Sequence, residues 1–252
     1  MSLIANKDFK KYNNVIPIAR EGNKMIGVSF DENAPKEVTM SGNFDPVAYL
    51  DLENNQRSAV FIAGPSGSGK STMARKIVEG HRKRMKDPKR FCVLFAPTST
   101  PDPAFSGLKN FLQISMKDDP DYTSITMEHL RNKTVIVDDF QVLPKPLLQY
   151  TMQLVGELLE LSRKLNIQII IVSHTMQNYT KTKTILFESD TFITFPSSNR
   201  NAFKKFAASY FDVSKNEAED MVKDAGKPFQ PLIFRKSMPR YYMTDKVIRL
   251  LE

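Results

Sequence analysis

An α/β fold, built as a mostly parallel sheet with helices on both faces, is what this 252-residue sequence predicts. Three observations predict it. Short, continuously apolar runs recur along the chain (SAVFIA, TVIVD, IQIIIV), the mark of strands buried on both faces. Segments of helical periodicity separate them, as crossover connections require. The first run ends at a Gly/Ser-rich turn that leads directly into a helical stretch.

The elements follow in order. Residues 1–57 are polar and broken by NN, EGN, DENAP and SGNFDP, so they read as an N-terminal extension with one strand, Met25–Phe30, that packs on or docks beside the core. A strand at Ser58–Ala63 precedes a helix at Lys70–Lys86. Arg90–Ala96 is the next strand, followed by a Pro-rich connection, a weaker strand at Phe111–Ser115, a short helical stretch at Ser124–Arg131 and the strand Thr134–Asp138. Leu147–Leu165 carries a broad apolar stripe, the pattern of a helix packed on a sheet. Ile167–Val172 and Thr191–Phe195 are further strands. Helices at Asn199–Tyr210 and Ser214–Ala225 and a hairpin of Pro231–Arg235 with Tyr241–Met243 complete a C-terminal section, residues 199–252, of a domain expected to run over 58–252.

Composition bounds the function. Hydrophobic residues at 41% and charged residues at 25% support a real core and argue against wholesale disorder. The lone cysteine, Cys92, excludes an intramolecular disulfide framework, and together with the absence of a secretory leader or spanning apolar run it implies an intracellular protein with no membrane-spanning segment. A net charge of +8 favours polyanionic partners without specifying one.

The chemistry lies in four stretches. Gly64-Pro65-Ser66-Gly67-Ser68-Gly69-Lys70-Ser71 matches the phosphate-loop pattern G-x-x-x-x-G-K-[ST] between a strand and a helix. Its glycines let backbone N–H groups turn toward nucleotide phosphates at a helix N-terminus. Lys70 is expected to reach the β- and γ-phosphates of ATP, Ser71 to bind Mg²⁺, and Thr72 to sit near the α-phosphate. Thr134–Asp139 is an apolar strand ending in two acids: Asp138 is placed to hold Mg²⁺ and Asp139 to polarise the attacking water, the alternative being that the pair caps a turn. Ser173, His174, Gln177 and Asn178 follow a strand expected between these two, so His174 and Gln177 are candidate catalytic sensors of the γ-phosphate, the alternative being turn capping. Two basic clusters complete the set. His81–Arg90 reads as a solvated helix end or a phosphate contact, whereas Lys181, Lys183, Arg200, Lys204 and Lys205 are the better candidates for non-sequence-specific DNA backbone contact. Arg131, Arg200, Arg235 and Arg240 are candidate arginine fingers among which the sequence does not choose.

With GPSGSGKST, VIVDDF, IIIVSH and DTFITFP in this order, the chain resembles the additional-strand (RecA-like) class of P-loop NTPases. More specifically it resembles the FtsK/HerA-type genome-packaging ATPases of poxviruses, other large eukaryotic DNA viruses and virophages, over about residues 58–245. The resemblance implies a pentameric or hexameric ring that drives double-stranded DNA into a preformed capsid by ATP hydrolysis, with a capsid or vertex protein as partner. It also places His174 or Gln177 at the family's sensor position. Two departures stand out: the acidic pair is Asp-Asp where Asp-Glu is commoner, and no arginine is assigned as the finger. A nucleoside or nucleotide kinase shares the phosphate loop and is the alternative enzyme, although FCVLFA runs on with no acid until Asp102 and no Arg-rich lid is evident. A nucleotide-binding structural protein with vestigial hydrolysis is the third reading.

Overall fold

The computed structural model describes residues 1–12, 15–31, 42, 44–45, 58–176, 179–196, 199–227, 229–236 and 239–251. The chain forms two compact units, Met1–Asp51 with Ile193–Glu252, and Leu52–Phe192. The first thus draws on both the expected N-terminal extension and the whole of the expected C-terminal section.

In the first unit, β1 (Ser2–Ala5), β2 (Ile16–Glu21), β3 (Lys24–Ser29) and β4 (Phe44–Asp45) form an antiparallel sheet in the order β1-β3-β2-β4. The expected strand at Met25–Phe30 is β3, but the other three are additions to the sequence reading. They are short, and β1 alternates buried with half-buried residues, so none presents the continuous apolar run of a parallel strand. Ile4, Ile18, Ile26, Val28 and Phe44 are buried in this unit.

The second unit holds the expected parallel sheet. Its elements are β5 (Ser58–Ala63), α1 (Lys70–Arg84), β6 (Cys92–Ala96), β7 (Phe111–Ser115), α2 (Met127–Leu130), β8 (Thr134–Asp138), α3 (Lys145–Leu165), β9 (Gln168–Ser173) and α4 (Tyr179–Glu188). The strands lie in the order β5-β9-β8-β6-β7, every pairing parallel. The sensor strand β9 therefore sits between the phosphate-loop strand β5 and the acid-bearing strand β8, as expected. Thr191–Thr194 (β10), on which the division between the units falls, neighbours β5. The residues of β6, β8 and β9 are almost all buried, which is why they lack polar alternation. Cys92 is among them; burial pushes its thiol up to about 12, so it is an inert core group.

The rest of the first unit is α5 (Arg200–Tyr210), α6 (Lys215–Ala225), β11 (Leu232–Arg235), β12 (Tyr241–Met243) and β13 (Ile248–Leu250), the last three an antiparallel set. Ser214 caps α6 by accepting from the Glu217 N–H while the Glu217 carboxylate accepts from the Ser214 N–H.

One sequence expectation is corrected in the second unit. The His81–Arg90 cluster is not simply a solvated helix end, because His81, Arg82 and Arg90 are buried. Arg82 donates to the carbonyls of Lys109 (2.8 Å) and Asn110 (3.0 Å), just before β7. Arg90 donates to the carbonyls of Lys133 (3.2 Å) and Asn166, just before β8 and β9. These guanidinium groups satisfy loop carbonyls at the starts of strands, where a shorter cation would not reach two acceptors. Burial lowers the Arg90 pKa, with Asp87 opposing the shift. Arg90→Ala would take the guanidinium from the Asn166 carbonyl and from that of Lys133, which keeps the Gln168 N–H, and is expected to destabilise the chain by about 1–2 kcal/mol, read as a shift in the urea midpoint.

Candidate functional site

A cavity of about 430 Å³ opens at the carboxyl ends of these strands, lined by Ser66, Gly67, Gly69, Lys70, Ser71, Thr72, Asp102, Asp138, Asp139 and His174. Most of the residues singled out from the sequence thus converge on one place. Gly64, Pro65 and Ser68 contribute differently. The Gly64 N–H donates to the Ser173 carbonyl (3.1 Å), the Ser68 N–H to the Pro65 carbonyl (3.2 Å), and the Pro65 carbonyl also accepts from Lys70. Gln177 and Asn178 lie outside the described residues.

The loop takes its form from positive φ at Gly67 (73°) and Gly69 (98°), a region that residues with a Cβ rarely enter. Gly69 is also the residue at which α1 begins, its carbonyl accepting from Met73 at 2.9 Å. The first N–H groups of a 15-residue helix have no intrahelical partners, so the loop offers donors and a positive dipole end to a phosphate.

Lys70 is buried, and its ammonium donates to the Pro65 carbonyl at 3.0 Å and meets His174 Nδ1 at 3.3 Å. Desolvation pulls its pKa below the ordinary lysine value, and the carboxylates of Asp139 and Asp138 pull it back up. On its other edge His174 places Nε2 2.6 Å from Asp139 Oδ2. The sensor candidate thus bridges the phosphate-loop lysine and the second acid.

Asp139 occupies the left-handed region at φ 44, ψ 30, with its N–H on the Val172 carbonyl at 3.2 Å. Such a conformation costs on the order of 1 kcal/mol or more outside glycine and turns the side chain away from the strand's own direction. Asp139 Oδ1 is buried without a hydrogen-bond partner among the described residues, as are Asp138 Oδ1 and Ser68 Oγ. Burial, with the charges of Asp139 and Asp102 acting the same way and Lys70 against them, pushes Asp138 up to about 7. A carboxylate oxygen buried without a donor, together with the half-exposed Ser71 hydroxyl, is the hard oxygen set that suits Mg²⁺. The residues present therefore fit that ion.

Two residues at the site were not predicted. Asp102 enters from the Pro-rich connection after β6, its N–H on Gln113 Oε1 (3.1 Å) and its Oδ1 on the Ala104 N–H (2.8 Å). Gln141 accepts from the Ser173 hydroxyl at 2.9 Å. The only signal for Asp102 was an acid at a strand-to-loop transition, and Gln141 carried none.

The finger and DNA candidates are distributed differently. Arg131 makes a two-pronged pair with Glu128, both contacts at 2.7 Å. Arg240 donates to the Phe211 carbonyl. Arg200 and Lys205 are exposed on α5, whereas Lys204 is matched with Glu219 of α6. Lys181 and Lys183 belong to α4.

Comparison with known proteins follows the same lines. Residues 53–179 match the model of the AAA domain family. A Sputnik virophage protein, the uncharacterized protein V3, is 26% identical over 223 residues, spanning 86% of this chain and 87% of its own. The genome packaging NTPase B204 of Sulfolobus turreted icosahedral virus 2, solved in complex with AMP, superposes with a TM-score of 0.52 at 15% identity, covering 79% of this chain and 98% of that one. EssC (ATPases 2 and 3) from Geobacillus thermodenitrificans gives 0.50 at 14% identity, over 79% of this chain and 40% of that one. The solved structures share the fold.

The raised Asp138 pKa sets a sign for stability. An unfolded aspartate ionises near 3.8 and the folded one only near 7, so Asp138 opposes folding by an amount that grows as pH rises between those values. Asp138→Asn is expected to stabilise the nucleotide-free chain by about 1–3 kcal/mol at pH 8, and by less at pH 5. Thermal unfolding at the two pH values checks it. A larger gain at pH 5 would contradict the assignment.

Proposed function

The chain belongs to the AAA domain family, and on that premise we propose that it is an ATPase whose turnover drives double-stranded DNA into a preformed capsid. It works as a homo-oligomeric ring of five or six subunits with a capsid or vertex protein as its dock. The observation that carries the hydrolytic reading is the junction of Lys70, His174 and Asp139 around one cavity, with β9 between β5 and β8. The DNA and capsid parts are supported by the description of B204 as a genome packaging NTPase, by the virophage relative and by the +8 charge.

In this reading the loop N–H groups and Lys70 hold the phosphates and spread their charge, while Ser66 and Thr72 border the same space. Ser71 and Asp138 would hold Mg²⁺, which would supply positive charge to the phosphate oxygens. Asp139 keeps Oδ2 on His174 and serves as the base for the attacking water, its Oδ1 having no hydrogen-bond partner among the described residues. As the water oxygen bonds to the γ-phosphorus, the bond to the β–γ bridging oxygen breaks, ADP leaves, and the water's proton passes to Asp139. DNA contacts belong to the exposed cations of α5, Arg200 and Lys205, with Lys204 partly neutralised by Glu219. In the described part of the chain no helix is long and apolar enough to cross a membrane.

Steady-state ATPase assays with and without linear double-stranded DNA, at low and physiological salt, test the reading. Stimulation that fades with salt is expected. Lys70→Ala should abolish binding or turnover, and Asp139→Asn should keep nucleotide binding while lowering turnover by about 100-fold or more. Turnover that requires a nucleoside or nucleoside monophosphate acceptor and ignores DNA would make the chain a kinase. Binding without turnover would make it the vestigial structural protein.

A further inference from the structure

His174 touches two groups that the proposed chemistry needs elsewhere. Its Nε2 lies 2.6 Å from Asp139 Oδ2 and its Nδ1 3.3 Å from Lys70 Nζ. A carboxylate oxygen at hydrogen-bond distance requires a proton on Nε2, and a neutral imidazole carries one N–H, so Nδ1 is the acceptor. An ammonium has donors only and demands the same arrangement from the other side. Both neighbours therefore select one tautomer, and the cavity's remaining charged lining residues are Asp138 and Asp102. The anchoring is rigid at the backbone. Ser173, the residue before His174, has its carbonyl on the Gly64 N–H, and its hydroxyl donates to the Thr175 carbonyl and Gln141 and accepts from the Thr175 N–H.

We propose that His174 is a positioning residue that latches the nucleotide-free site: it holds Asp139 through Nε2–H and occupies Lys70 through Nδ1, and phosphate binding frees only the lysine. The latch rests on the ATPase reading of the site. Its consequence is an ordering of events. Lys70 reaches a phosphate by giving up Nδ1, while Asp139 keeps its hydrogen bond and so its aim. Nucleotide affinity then carries the cost of breaking the Lys70 contact, because only the fraction of molecules with Lys70 released is competent to bind. Turnover instead depends on the Nε2–H bond to Asp139.

The two halves can be separated chemically. In His174→Asn the short amide places its oxygen where Nδ1 stood, so a partner for Lys70 remains and the donor to Asp139 is lost. In His174→Gln the longer amide places its N–H₂ where Nε2 stood, so Asp139 keeps a donor and Lys70 is released. We expect His174→Asn to lower kcat on the order of 10- to 100-fold with KM within about 3-fold of wild type. His174→Gln should lose less kcat and bind ATPγS roughly 3-fold or more tightly. Equal losses of kcat in both variants, with no gain in affinity, would overturn the latch.

A readout independent of turnover comes from ¹⁵N NMR of the imidazole nitrogens, simplified by there being three histidines in the chain. His174 should show the Nε2–H tautomer without nucleotide, and ATPγS should move its Nδ1 resonance and leave Nε2–H in place. Lys70→Ala should move Nδ1 in the same direction with no nucleotide added. An Nδ1–H tautomer, or an Nδ1 signal indifferent to Lys70→Ala, would overturn the proposal even in a chain that hydrolyses ATP. If the chain binds ATPγS and shows these shifts without turning ATP over, the hydrolytic reading fails and the latch stands.

Discussion

Everything at the site depends on the parallel register of β9 between β5 and β8. The carbonyl of Ser173 takes the N–H of Gly64, and the carbonyl of Val172 takes the N–H of Asp139. Successive residues at the end of one strand thus hold the first residue of the phosphate loop and the second acid of the neighbouring strand. Backbone hydrogen bonds in a buried sheet are costly to break. The separation of loop and acids is therefore set by the sheet and not by the side chains that use it. Where β5 and β8 adjacent, Gly64 and Asp139 would meet directly and no strand end would deliver a side chain between Lys70 and Asp139.

Charge then tightens what the register has placed. Three carboxylates, Asp102, Asp138 and Asp139, face one cavity with a single buried cation from the loop, Lys70. Lys70 offsets part of this concentration of negative charge, but Asp138 keeps a buried oxygen without a donor among the described residues and a pKa pushed up to about 7. A site left short of positive charge is unfavourable to the folded chain and would suit a divalent ion. The buried guanidinium groups of Arg82 and Arg90 work at the opposite ends of the strands, closing loop carbonyls that a parallel sheet leaves exposed.

What could be read from the sequence divides along a physical line. Buried parallel strands announce themselves as continuous apolar runs, so the sheet of the second unit, the place of β9 in it and the cavity-lining residues other than Asp102 were legible. The N-terminal strands were not, because an antiparallel strand with one covered face needs only alternate apolar residues, and β1 and β4 are too short to show alternation. α4 escaped for a similar reason: YTKTKTILFE has a polar first half, and of its described side chains Thr182, Ile185 and Leu186 are buried. Arg82 and Arg90 were misjudged because a basic run looks solvated until the carbonyls that need it are in place. Asp102 depended on a loop path that composition does not encode.

The Asp-Asp pair, which looked like a weakness in the sequence, has a geometric counterpart. Aspartate is one methylene shorter than glutamate, so a carboxylate at position 139 on a regular strand end would reach less far from the backbone than a glutamate's. The chain instead turns into the left-handed region at that residue, φ 44, ψ 30, which redirects the Cβ. Aspartate tolerates that region better than most residues. The shorter side chain also has fewer torsions to order, and His174 fixes the remaining freedom by holding Oδ2. Oδ1 stays buried, with no hydrogen-bond partner among the described residues. The strain this backbone stores is confined to one residue, whose carboxylate is held by His174.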